Sequence, residues 1–266
     1  MAMPGRDDGA TPTASALAAE RAVADALRAS RSVVVLSGAG VSAESGLATF
    51  RDGRDALWNR YPPERLATPE AFDADPALVS EWYDLRRLAC LAASPNAAHL
   101  ALAALERHLE ARGGSVTLLT QNVDGLHRRA GSRRVVELHG TIITWRCTRS
   151  GERVTPGPEA FPSYPVRSAG GGLYRPDVVW FGEALPEAAL EAAAAAVRAC
   201  DVLVVVGTSA RVWPAAGLIH AAAAAGAFVA EVNVAPSEVS HAVDAHLRGA
   251  AGEVLPRLVA EMACAP

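Results

Sequence analysis

Unbroken apolar runs alternate along the chain with stretches whose apolar positions recur every three or four residues. VVVLS (33–37), VTLLT (116–120), VLVVVG (202–207) and FVAEVN (228–233) are too short for helices and lack the alternation of a half-exposed strand. They predict strands buried on both faces. Helical spacing covers 15–31, 76–92, 94–114, 186–200 and 213–226, between those runs. Asp75 and Pro76 suit the N-cap and first turn of the second helix; Ser94 and Pro95 suit those of the third, which the Gly113–Gly114 pair stops. Strands separated by helices predict an α/β fold, a Rossmann-like parallel sheet with helices on both faces. The region 141–177 breaks the rhythm: rich in Pro, Gly, Arg and Ser, it reads as an irregular insertion.

Composition narrows the picture. At 266 residues, 50% hydrophobic and 20% charged, the chain is globular and long enough for a large core plus an inserted module. A net charge of −4 argues against a general binder of nucleic acid or of an anionic membrane. No apolar run reaches the length of a membrane-spanning helix, and the N-terminal segment lacks a basic-then-apolar signal, which reads as a disordered tail and a cytoplasmic protein. Cys90, Cys147, Cys200 and Cys264 are scattered without a CxxC pair. All 25 basic residues are arginine, so the chain carries no lysine of its own.

In open parallel sheets ligands bind beyond the carboxyl ends of the strands. Here those ends carry GAGVSAES (38–45), QNVDGLH (121–127), GTS (207–209) and Asn233, small or polar where a core strand would simply turn. GAGVSA fits the dinucleotide pattern GxGxxG/A, in which Gly38 and Gly40 let the backbone approach a pyrophosphate and the following N–H groups, with a helix dipole, favour anions. Elsewhere Tyr83 and Arg86 stand one helical turn apart and are neighbours on the helix surface. They read either as a solvated arginine beside a half-buried tyrosine or as the floor of a pocket holding a carboxylate. His139, in ELHG (137–140), reads alone as a packed structural histidine.

Taken together, GAGVSAESGLATFRD, QNVDGLH, ELHG, PDVVWFGE (176–183), GTS and RGAAGEVLP (248–256) resemble the sirtuin family of NAD-dependent protein deacylases, in the family's order and spacing from about residue 31 to 259. The resemblance implies that NAD is consumed as a co-substrate and that acyl groups leave lysine side chains as O-acyl-ADP-ribose, with release of nicotinamide. It implies NAD contacts from Gly38, Ala39, Gly40, Ser42, Glu44 and Ser45, with Phe50 and Arg51 at the nicotinamide ribose and phosphate region. Gln121, Asn122 and Asp124 would orient that ribose and the nicotinamide amide. Gly207, Thr208 and Ser209 would meet phosphate and ribose, and Asn233 with Ala251 would line the adenosine end. His139 would be the general base, a task suited to a group titrating near neutrality; Asn122, Asp124 and Arg51 complete the implied catalytic set. Val178, Trp180, Phe181 and Gly182 would take the substrate peptide as an added strand. Within the family, Tyr83-Asp84-Leu85-Arg86 is similar to the Tyr-x-x-Arg of the subgroup preferring succinyl, malonyl and glutaryl groups, and Ala67 matches the small residue that leaves its acyl channel deep.

The same resemblance implies a discontinuous Rossmann-type domain (16–52, 93–140 and 178–266) after a disordered tail (1–15), and a small domain from two insertions (53–92 and 141–177). Two departures stand out. Ala48 replaces a usual proline, which predicts a more mobile loop in the absence of NAD. The family's small domain normally holds zinc on four cysteines; here only Cys147 is kept, with Ser150, Gly151 and the SAGGG run (168–172) in place of its partners. One thiolate does not make a structural zinc site, so no zinc is expected, and packing around Trp145, Phe161, Tyr164 and Tyr174 is expected instead. Two other readings use the same residues: a module that holds NAD or ADP-ribose without turnover, and an NAD hydrolase or ADP-ribosyltransferase.

Overall fold

The computed structural model describes residues 14–47 and 63–264. Ala48, Phe50 and Arg51 lie outside them, as do residues 1–13 of the tail; positions 14 and 15, expected in that tail, are already helical.

The larger layer is a six-stranded parallel sheet in the order β3-β2-β1-β7-β8-β9. Its strands are β1 (Ser32–Ser37), β2 (Ser115–Thr120), β3 (Val135–Glu137), β7 (Val202–Val206), β8 (Phe228–Asn233) and β9 (Ala245–Arg248). Helices cover both faces, which is why the central strands read as apolar runs. On one face α1 (Ala14–Ala29), α5 (Ala97–Ala111) and α9 (Ala251–Ala263) bury Leu27, Leu102, Leu105 and Leu258 against Val33, Val35 and Val204. On the other, α7 (Glu187–Ala199) and α8 (Ala215–Ala224) bury Val197 and Ile219 against Val34, Leu36 and Val205. The strand order reverses direction between β1 and β7, the switch point at which such sheets open a ligand crevice.

The region 141–177 is irregular only in part. It holds a three-stranded antiparallel sheet in the order β5-β4-β6, made of β4 (Gly140–Cys147), β5 (Arg153–Val154) and β6 (Tyr174–Val178). The Pro- and Gly-rich segment between β5 and β6 dilutes the strand signal in any sequence window. Short helices α2 (Pro63–Leu66) and α3 (Pro69–Ala74) and the long α4 (Pro76–Ala92) pack on this sheet around Phe72, Val79, Trp82, Tyr83, Ile142, Trp145 and Trp180. Asp75 caps α4 by accepting from Leu78 N at 3.0 Å, with Pro76 in the first turn, as read from the sequence.

Of the four aromatic residues expected to hold this region, Trp145 is fully buried with Phe161 edge-on at 4.8 Å. Tyr164 contributes differently: its hydroxyl donates to Asp84 Oδ2 at 2.7 Å. Asp84 and Arg87, both fully buried, are paired, and Arg87 also donates to the carbonyls of Gly157 (2.5 Å) and Glu159 (2.7 Å). This ion pair pins the 157–164 segment onto α4.

Two further corrections concern helix starts. The 94–114 helix begins at Ala97, not after Ser94, because Asn96 Oδ1 accepts from Ala98 N (2.9 Å) and His99 N (3.4 Å) and so takes the cap. The glycine loop after β1 does not open an α-helix: it continues into two 3-10 turns, Ala39–Val41 and Ala43–Ser45. Such short turns carry no appreciable macrodipole, so local N–H groups, not a helix end, are what they offer an anion.

Candidate NAD and acyl-lysine site

The four polar strand ends meet at the β1/β7 switch point. Gly38 N donates to Val206 O (2.9 Å) and Gly40 N to Gly207 O (2.8 Å), so the loops after β1 and β7 are stitched backbone to backbone. A Cβ on Gly40 would stand 2.8 Å from Gly207 Cα, and one on Gly38 2.7 Å from Thr208 Cβ, so only glycine permits this approach. From β2, Gln121 Nε2 donates to Thr208 Oγ1 at 3.1 Å; from β8, Asn233 Nδ2 donates to the Thr208 carbonyl at 2.9 Å. Thr208 is thus the junction of three strand ends. Ser209 follows it and accepts from Glu238 N at 3.3 Å. Backbone held this closely, lined with hydroxyl and amide groups, fits the phosphates and riboses of a dinucleotide.

Glu44, placed by the resemblance among the NAD contacts, has a structural partner: its Oε2 accepts from Gly252 N at 2.7 Å, in the first turn of α9 beside Ala251. A carboxylate is favoured there. Ser45 Oγ accepts from Asn96 Nδ2 at 3.0 Å, and the same nitrogen reaches the Val41 carbonyl at 2.8 Å. The cap of α5 therefore also fixes the glycine loop.

Beneath that loop lies a buried polar cluster. Asn122 Nδ2 donates to Gly38 O and to Ser42 Oγ, both at 3.1 Å; Ser42 Oγ donates to Asp124 Oδ2 at 2.8 Å. Asp124 Oδ1 accepts from Leu126 N at 2.8 Å. Two histidines complete the cluster, His99 on α5 and His127 on the short α6 (Leu126–Arg129). His99 Nε2 is 3.4 Å from Ser42 Oγ, and His127 Nε2 is 2.9 Å from Ser37 Oγ, with the rings 4.8 Å apart. Burial lowers the His99 pKa to about 4, against the opposing pull of Asp124. Burial and the neighbouring His99 lower that of His127 to about 3. Both rings are neutral at physiological pH. Ser37 Oγ also donates to Thr120 Oγ1 at 2.9 Å. Asn96, His99, His127, Ser37 and Thr120 escaped sequence reading because an isolated histidine looks like packing and a single hydroxyl or amide at an element end looks like a cap.

His139 follows β3 and opens onto β4. Its Nδ1 is 2.9 Å from the Gln121 carbonyl. A carbonyl only accepts, so Nδ1 carries the proton and Nε2 is left with a lone pair that can accept one. Burial lowers the His139 pKa, partly offset by that hydrogen bond, which keeps the ring neutral at pH 7 as a general base requires.

The segment 178–182 touches both halves of the site. Val179 N donates to the His139 carbonyl (2.9 Å), and Phe181 N to the Ala67 carbonyl (2.8 Å). Val178, Trp180 and Ala67 are buried, while Phe181 is 44% exposed and Gly182 has φ +88. Tyr83 faces this segment: it is buried, with Trp82 edge-on at 4.6 Å and Trp180 at 6.1 Å. Burial, opposed by Arg86, pushes the phenol up to about 12, so it stays protonated. The Arg86 guanidinium lies 4.6 Å from the Trp82 ring and 5.5 Å from the Tyr83 ring. Tyr83 and Arg86 therefore sit as neighbours, with Tyr83 turned to Trp180, whereas Arg87 is committed to Asp84.

The zinc implied by the resemblance does not fit the residues present. The Cys147 thiol is hydrogen-bonded by the Ser150 and Ser168 hydroxyls and by the backbone at Ser150 and Arg149, which hold its pKa down to about 6. A Cβ on Gly172 would stand 2.6 Å from its sulfur. Neutral hydroxyls are not structural zinc ligands, and among the described residues no three His, Cys, Asp or Glu side chains cluster to hold a metal.

Comparison with known proteins agrees with this geometry. Residues 38–214 match the model of the Sir2 family. "NAD-dependent protein deacylase 2" of Pyrobaculum aerophilum is 52% identical over 240 residues, covering 90% of this chain and 94% of that one. A solved Sir2 homologue in complex with NAD superposes with a TM-score of 0.85 at 44% identity, over 91% of this chain and 93% of that one. A mutant Sir2 homologue in complex with 2′-O-acetyl-ADP-ribose superposes with a TM-score of 0.83 at 44% identity, over 91% and 95%. With more than half of its length matched and relatives this similar along nearly all of it, the chain belongs to the Sir2 family.

Proposed function

We propose that this protein is an NAD-dependent protein-lysine deacylase that prefers acidic acyl groups on lysine side chains of proteins or peptides. The observation that carries the deacylase reading is the fixed tautomer of His139, whose Nδ1 is tied to Gln121 O beside Asn122 and Asp124. NAD, when bound, supplies the nicotinamide–ribose bond whose cleavage lets the ribose accept the acyl group. Gly38, Gly40, Gly207 and Thr208 would hold its phosphates, and Asn122 and Asp124 would orient the reacting ribose. His139 Nε2 would take the proton from a ribose hydroxyl. One water, adding at the acyl carbon, would release the lysine amine, so the products would be nicotinamide, O-acyl-ADP-ribose and free lysine.

Acidic-acyl preference rests on Tyr83 and Arg86. A succinyl or malonyl carboxylate reaching past Ala67 and Trp180 would meet a phenol that stays protonated and a permanently charged guanidinium. A charge-assisted hydrogen bond in such a partly dry channel contributes about 1.5–3 kcal/mol, roughly ten- to a hundred-fold in preference. Kinetics on succinyl- and acetyl-lysine versions of one peptide test it. Arg86→Met should depress desuccinylation far more than deacetylation, and Tyr83→Phe the same more mildly; equal losses on both substrates would contradict the preference. The hydroxyl-lined Cys147 further supports a small domain that folds without zinc.

A further inference from the structure

Arg175 is 7% exposed and spends both terminal nitrogens and its guanidinium face on one short segment, while its buried Nε has no hydrogen-bond partner. Nη1 donates to Glu183 Oε1 at 2.6 Å, and Nη2 donates to Glu183 Oε2 at 2.9 Å and to Val178 O at 3.0 Å. Its Cζ lies 3.2 Å from the centroid of the Trp180 ring. Glu183 closes the loop by accepting from Trp180 N at 2.9 Å, while its own N–H donates to the Trp180 carbonyl at 3.0 Å. Arg146 stands 3.6 Å from Glu183 Oε1. Burial works against the Glu183 carboxylate, but Arg175, the Trp180 N–H and Arg146 hold its pKa below the ordinary range. One side of the Trp180 indole is thus set by a guanidinium, and its other neighbours are Phe72 (5.4 Å) and Tyr83 (6.1 Å).

A buried bidentate pair is a costly way to end a strand, and a hydrophobic contact would serve packing as well. What the pair adds is orientation: a planar fork gripping a carboxylate and stacked on an indole leaves that ring one position. Trp180 lies within the segment bonded to His139 and Ala67, between Val179 and Phe181, with its ring 6.1 Å from that of Tyr83. We propose that Arg175 and Glu183 are positioning residues that fix Trp180 as a wall of the acyl-lysine channel, so that they govern capture of the acyl substrate and not of NAD. This rests on the deacylase reading given above.

The test is steady-state kinetics of Glu183→Gln and Arg175→Lys with acetyl-lysine peptide and NAD varied in turn, alongside thermal melting. Gln keeps the shape of Glu183 but turns one acceptor into a donor facing Arg175. Lys keeps the charge but neither forks nor stacks. Each variant should raise the KM for the peptide about tenfold, since misplacing a positioning group by about an ångström costs up to a hundredfold, while the KM for NAD and kcat stay within about twofold. An unchanged peptide KM in either folded variant overturns the proposal. So does a rise of both KM values together, or loss of the cooperative melt in both variants, because each marks a merely structural pair. A wild-type protein without turnover of any acyl peptide would overturn the deacylase reading itself.

Discussion

His139 Nδ1 stands 2.9 Å from the carbonyl oxygen of Gln121. One short contact joins the strand end that carries Asn122 and Asp124 to the strand start that carries His139. It selects the tautomer and the ring orientation together. Removing the imidazole should leave fold and NAD binding in place, because the contact crosses between elements already paired through β2 and β3. His139→Ala should lose roughly two to four powers of ten in deacylation, the usual range for general acid–base catalysis. Near wild-type turnover of this variant, with NAD binding followed by calorimetry, would remove His139 from the role.

Acid should destabilise the fold through His99 and His127. Their folded pKa values, about 4 and about 3, lie below the ordinary 6.5. Below 6.5 the unfolded chain binds protons that the folded chain does not, so stability falls as pH drops from 6.5 towards 4. Near pH 5 the loss is on the order of 2 kcal/mol for each ring. Urea melts of His127→Gln should show a shallower loss between pH 7 and pH 5 than the wild type; parallel curves would contradict the assignment.

Arg86 and Arg87 should behave as opposites despite being neighbours. Arg87→Met strands the Asp84 carboxylate in a fully buried site, which typically costs about 3–5 kcal/mol. Arg86→Met should cost much less stability and change acyl preference instead. Denaturant midpoints for the two variants, read beside their kinetics, check this reversal.

Zinc should play no part. Purified protein is expected to carry no stoichiometric zinc by elemental analysis, and strong chelators should leave its melting temperature unchanged, because Cys147 has hydroxyl and amide partners where thiolates would be needed. One zinc per chain would contradict this.

Much of the larger sheet was legible in the sequence, for a physical reason. Central parallel strands are covered on both faces, so VVVLS and VLVVV announce themselves. The edge strand Ala245–Arg248 did not, being four residues long with His246 and Arg248 on it. Nor did β4, whose partial burial, interrupted by Arg146, hides in a segment followed by Pro and Gly. The glycine loop and the ends QNVD and GTS were readable because small polar residues have no packing reason to terminate a core strand. Positions that matter only through distant partners were not. Asp84–Arg87 and Tyr83–Arg86 have the same spacing, and only the fold decides that one pair is committed to the 157–164 segment while in the other Tyr83 lies beside Trp180. His99, His127, Arg175 and Glu183 gain meaning in the same way, once Ser42, Ser37 and Trp180 stand beside them.

The most direct measurement is a product assay: incubate the purified protein with NAD and acetyl- and succinyl-lysine peptides and analyse the mixture by mass spectrometry. The expected result is deacylated peptide, nicotinamide and O-acyl-ADP-ribose in equal amounts, with the succinyl peptide consumed faster at low concentration. Nicotinamide and ADP-ribose formed without deacylated peptide, or no turnover of NAD at all, would contradict a deacylase.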